Sequence, residues 1–150
     1  MLVAVLMAAV LVGCGIDLGY DDGFDEQVCM DRAAKENALY LKAMEGAIPA
    51  ERRVEVNEWS GCDSAPSGAE LHVFLDPDAD QKTIRGWFES GGWSSGLARE
   101  IAAQCGTTCA YDNDFVKKVG RRVIGVTLDD NWVGVHAADQ CWDDNGYRCE

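Results

Sequence analysis

The chain has 150 residues, with 26 acidic against 13 basic side chains and a formal net charge of −13, which leaves room for one domain. Such a charge argues against nucleic acid as a partner, because affinity for it comes largely from Lys and Arg neutralising phosphates. The same field repels anionic lipid headgroups, so membrane contact through charge is excluded as well.

The first element in chain order is an unbroken apolar run, Leu2 to Val12. It is too short for the roughly 20 residues of a spanning helix, and it has the length of a signal-peptide core. Met1 to Gly13 carries no charged side chain, so the acidic balance falls entirely on the chain from Cys14 onward. The run ends in Leu11-Val12-Gly13-Cys14, small residues before a cysteine, and this resembles the lipobox of bacterial lipoproteins. The resemblance implies that the Cys14 sulfur takes a diacylglyceryl group and that the bond before Cys14 is then cut. Two acyl chains suffice for stable anchoring, since each buried CH₂ contributes about 0.8 kcal/mol and a single chain holds only marginally. The run departs from that class in having no Lys or Arg ahead of its apolar core. The expected organisation is a signal peptide over 1–13, a lipidated Cys14 with a tether over 14–24, and one globular domain over 25–150. The expected place is the extracytoplasmic face of the cell membrane.

The cysteine count agrees with export. Seven cysteines would leave one thiol over, but lipidation of Cys14 leaves six: Cys29, Cys62, Cys105, Cys109, Cys141 and Cys149. Six cysteines allow 15 connectivities. Pairing of sequence neighbours, Cys29 with Cys62, Cys105 with Cys109 and Cys141 with Cys149, is the favoured expectation. A zinc site is the weaker alternative, because the pairs are spaced C-x₃-C and C-x₇-C rather than as two C-x₂-C knuckles, and exported thiols tend to oxidise.

Gly15 to Phe24 is Gly- and Asp-rich without periodicity and reads as a tether, in which ten flexible residues span on the order of 17 Å. Asp25 to Gly46 carries Cys29, Ala33, Tyr40, Leu41 and Met44 on one helical stripe, with Gly46 and Pro49 as the stop. Arg53 to Trp59 and Glu70 to Leu75 read as strands joined by the turn-rich 60–68. A second helix comes next, with Asp78 as N-cap, Gln81 in the reciprocal capping position, and Ile84, Trp87 and Phe88 as its buried stripe. Leu97, Ile101 and Cys105 suggest a short third helix. Strands are expected at Phe115 to Val119, Val123 to Leu128 and Trp132 to His136, with a last tight turn at Asn145-Gly146. The fold class is therefore α+β, with helices packed on one face of an antiparallel sheet of about five strands, braced by disulfides. The stretch from Val54 to Trp93, with Gly61-Cys62-Asp63-Ser64 and Gly92-Trp93, is loosely similar to small actinobacterial lipoproteins of unassigned function, a likeness that carries no activity.

Few constellations carry chemistry. Gly92-Trp93-Ser94-Ser95-Gly96 has the form G-x-S-x-G, with Asp112 or Asp129 and then His136 downstream. That motif works on a strand-to-helix elbow. Here a helix precedes it, so the residues read better as a Gly-rich helix exit with Ser95 capping the next helix. A small hydrolase using Ser94 and His136 remains the enzymatic alternative, and it requires the two within about 3 Å. Asp76-Pro77-Asp78-Ala79-Asp80 opens like a calcium loop, but Gln81 and Trp87 stand where Gly and Glu are needed, so capping is the better reading. Asp21, Asp22, Asp25 and Glu26 suit a solvated acidic tether. His72 and His136, the two histidines, fall on strands opposite their apolar neighbours and suit surface or half-buried packing. Neither a metal nor a cofactor is expected. Trp59, Trp93, Trp132 and Trp142 sit near turns, where exposed indoles could stack on sugars or a partner protein, and they form the candidate binding surface. Lys117, Lys118, Arg121 and Arg122 form a basic cluster in a hairpin, suited to local charge balance or to an acidic partner. The favoured expectation is a non-enzymatic module that binds an envelope protein or cell-wall glycan.

Overall fold

Asp25 starts the described fold by accepting the backbone N–H groups of Gln27 and Val28 at 2.9 and 3.1 Å, which fixes the N-terminus of helix α1, Glu26–Ala43. The computed structural model describes residues 25–63, 68–105, 112–139, 141–143 and 146–147. The signal segment, Cys14 and the tether lie outside them. Cys29, Ala33 and Tyr40 are buried along α1 as the periodicity predicts, and Glu36 and Asn37 are buried beside them. Gly46, at φ +76°, turns the chain into a short 3-10 segment, Ala50–Arg52, that leads into the sheet.

The sheet has five strands, β1 Arg53–Trp59, β2 Glu70–Leu75, β3 Phe115–Val119, β4 Arg122–Leu128 and β5 Trp132–Ala137. Their order is β1-β2-β5-β4-β3, and every neighbouring pair is antiparallel. Two short strands, β6 Trp142–Asp143 and β7 Gly146–Tyr147, pair separately. Helices α2, Gln81–Ser90, and α3, Ser95–Cys105, complete an α+β fold in which three helices pack against an antiparallel sheet.

Two helix starts differ from expectation. The carboxylate of Asp76 accepts the N–H of Asp78 at 3.0 Å and locks a turn there, so the N-cap of α2 moves to Asp80, which accepts from Thr83 at 2.6 Å. Gln81 donates to the Asp129 carbonyl at 2.7 Å rather than completing a capping box. Ser94, not Ser95, caps α3 by accepting the Leu97 N–H at 3.0 Å.

Strand alternation places Leu71, Val73, Leu75, Val133, Val135, Ile124, Val126 and Phe115 in the core, with Tyr40, Met44, Ile48, Ile84 and Phe88. Each such side chain contributes about 1.5–3 kcal/mol relative to exposure. Phe88 stacks on Phe115 at 5.7 Å and meets Trp93 edge-on at 5.4 Å. Lys117 reaches over the Trp93 ring and donates to the carbonyls of Ala43 and Gly91, closing the C-terminal ends of α1 and α2. A disulfide joins Cys29 to Cys62 as expected, across a separation of 33 residues. Cys141 is also disulfide-bonded. The side chains of Cys105, Cys109 and Cys149, and with them the other two expected pairings, lie outside the described residues. No helix among the described residues is long and apolar enough to cross a membrane.

Candidate functional site

Period-2 alternation in β2 sends Leu71, Val73 and Leu75 into the core and turns Glu70, His72 and Phe74 to the opposite face of the sheet. Register then collects their neighbours. In β1, Trp59 lies opposite Glu70, Asn57 opposite His72 and Glu55 opposite Phe74. In β5, Trp132 lies opposite Phe74 and Gly134 opposite His72. The indole of Trp132 leans along its strand over Gly134, where an added Cβ would stand 3.0 Å from the ring and 3.2 Å from the Glu70 carboxylate. The glycine therefore makes the space in which ring and carboxylate meet. His72 fills the remaining side, 4.9 Å from the Trp132 ring, with its Nε2 at 3.1 Å from the Glu70 carboxylate. Trp59 stands at the edge of this group and is 49% exposed. An exposed indole, a half-buried indole, an imidazole and a largely covered carboxylate thus share the outer face of the sheet, a composition suited to stacking on the apolar faces of sugar rings while bonding their hydroxyls.

Trp93 and Trp142 do not belong to it. They are 4% and 7% exposed, which corrects their place on a predicted binding surface. Trp93 is held between Phe88 and Lys117, and Trp142 packs on Gly68 and on the Tyr147 ring at 4.8 Å. Proximity to a turn in sequence marks neither as exposed, because each indole packs against a neighbouring ring and is covered.

The same face is closed farther along β5. His136 is only 1% exposed, a correction to the expected surface or half-buried packing, and its Nε2 pairs with the Asn113 amide oxygen at 2.8 Å. Gly125, opposite His136, permits that bond, since a Cβ there would sit 1.7 Å from the amide oxygen. Burial pushes the imidazole down to about 4, so it is neutral at ordinary pH.

The structure does not bring Ser94 and His136 together. Ser94 pairs with Val116, Val116 with Gly125, and Gly125 with His136, so two strands separate them, roughly 14 Å at the usual strand spacing. The Ser94 hydroxyl is taken up as the cap of α3. His72 and His136 share a face but pair with Glu70 and Asn113 respectively. Among the described residues no three His, Cys, Asp or Glu side chains converge to hold a metal ion.

The predicted basic cluster is split. Lys118 and Arg121 are exposed, while Lys117 caps helix ends and Arg122 turns inward between two carboxylates. Arg122 engages Asp139 through two nitrogens at 2.7 and 3.2 Å and pairs with Glu36, to which the Tyr147 hydroxyl also donates at 3.1 Å. Burial opposes the guanidinium charge, but Asp139 and Glu36 outweigh it and hold Arg122 above its usual value. Burial and then the Glu36 charge push the phenols of Tyr40 and Tyr147 upward. The network ties α1, β4 and the β6–β7 hairpin together, and its members are enclosed rather than offered to a ligand.

No family model matches this chain, and no curated protein or solved structure is similar to it. The functional reading therefore rests on the site itself. Its missed members, Glu70 and Phe74, had the signal that placed His72: three non-aliphatic residues alternating with Leu71, Val73 and Leu75 mark a strand with one open face.

Proposed function

We propose that the chain is an exported, lipid-anchored, non-enzymatic module that binds a cell-wall glycan on the open face of its sheet. The observation that carries this reading is the placement of Trp59 and Trp132 on the outer face of the sheet with Glu70 and His72 between them. Trp59 is exposed and Trp132 half-buried, and ring side chains held on a sheet are preorganised, so little conformational entropy is lost on binding. The net charge of −13 restricts the ligand to neutral or amino-sugar-bearing chains, since a polyanionic glycan would be repelled. Export and anchoring rest on Leu2 to Val12 running into Gly13-Cys14, and the Cys29–Cys62 disulfide supports an oxidising compartment.

Cosedimentation of the full chain with purified, protein-free cell-wall glycan tests the reading. Retention that falls at least about tenfold on Trp59→Ala with Trp132→Ala is expected, a loss of ~1.4 kcal/mol shared by two stacking residues. Equal retention of wild type and double variant, or no retention of either, would contradict it. An envelope protein is a second ligand class, favoured by the exposed edge strand β1.

A further inference from the structure

Strand β1 pairs with β2 on one side and with no strand on the other among the described residues. Every residue from Val54 to Trp59 is exposed. Val54 and Val56, 69% and 37% exposed, and Trp59 are residues that favour strands and are ordinarily covered. Open edges of this kind are templates for a further strand, and proteins that do not use them blunt them. Here a register shift between Arg53 and Glu55 interrupts the first part, while Glu55 to Glu58 keep an uninterrupted register and are exposed, so that the edge is guarded there only by the charge of its glutamates.

Charge decides what such an edge accepts. Glu51, Glu55 and Glu58 are exposed along it. The neighbouring cations are already engaged, Arg52 with Asp76 at 3.0 Å and Arg53 with the Ile48 carbonyl at 2.6 Å. Edge-to-edge pairing of two copies would bring these glutamates together between molecules of net charge −13, which disfavours self-association. We infer that the β1 edge takes an extended Lys- or Arg-bearing segment of another protein as a sixth strand. Main-chain hydrogen bonds supply the affinity, and basic side chains meeting Glu55 and Glu58 on alternate faces supply the selection. This inference does not rest on glycan binding, although the two surfaces meet along Glu55, Asn57 and Trp59.

A fluorescein-labelled ten-residue peptide alternating Lys with Val or Thr is the probe, titrated with the full chain by fluorescence anisotropy. Saturable binding is expected, weakened about tenfold by Glu55→Lys with Glu58→Lys, two exposed sites that leave the fold intact. The same peptide N-methylated at alternate residues should not bind, because it keeps the charge and loses the donors. In the complex the β1 amides should exchange at least about tenfold more slowly. Equal binding of the N-methylated peptide would reduce the contact to charge attraction and overturn the inference. So would unchanged affinity of the double variant, or protection of β1 by soluble wall glycan and not by the peptide.

Discussion

His136 is buried and neutral, so lowering the pH through the range in which an ordinary histidine titrates should weaken the fold by an amount its surroundings set. An unfolded chain takes up the proton near 6.5, and the folded chain only near 4. Above 6.5 neither form is protonated and the full stability is present. As the pH falls between the two values, the unfolded chain binds a proton that the folded chain refuses, and stability is lost; below about 4 both are protonated and the loss levels off. At ~1.4 kcal/mol per pH unit the interval corresponds to about 3 kcal/mol, a large share of the 5–15 kcal/mol typical of a domain. Urea unfolding at pH 7, 5.5 and 4, followed by tryptophan fluorescence, measures it. His136→Gln keeps an N–H for the Asn113 oxygen and removes the titration, so the difference between wild type and variant isolates His136 from carboxylates that titrate in both. The difference should shift by about 3 kcal/mol between pH 7 and 4, at the expense of the wild type. Parallel pH dependences would show that the folded state admits the proton and would refute the burial argument.

Arg122→Met should cost about 3–5 kcal/mol in chemical denaturation, because it leaves Glu36 and Asp139 enclosed without their counter-charge, whereas replacing Glu36, Arg122 and Asp139 together by apolar residues should cost much less. Intact mass of the native protein should correspond to a chain beginning at an acylated Cys14, and Cys14→Ala should abolish both the acylation and the cut; an unprocessed leader with a bare thiol in the native protein would contradict the proposed location.

Much of the architecture was legible because single-faced strands announce themselves. The alternation in Glu70 to Leu75 and the expected strands Val123 to Leu128 and Trp132 to His136 predicted β2 and the β4–β5 pair to within a residue or two. Helix α2 began later than predicted since three aspartates compete for capping, and only the folded turn decides that Asp76 closes on Asp78 while Asp80 caps. The burial of Glu36 escaped notice because its partner Arg122 lies 86 residues away, and a charged residue on an apolar stripe reads as surface until that partner is known. At the candidate site, the indoles of Trp59 and Trp132 were legible as residue types. Their separation from Trp93 and Trp142 depends on which indoles tertiary packing covers, and the distance from Ser94 to His136 depends on strand order, neither of which is a local property.

The five tryptophans provide the most direct test of binding at the open face. Indole N–H signals of isotopically labelled full chain, assigned by single Trp→Phe variants, can be followed by NMR during titration with soluble cell-wall glycan fragments. The signals of Trp59 and Trp132 should move with one saturable curve while those of Trp87, Trp93 and Trp142 stay in place. Movement of Trp87, Trp93 or Trp142 instead, or stillness of all five at saturating glycan, would contradict glycan binding at this face.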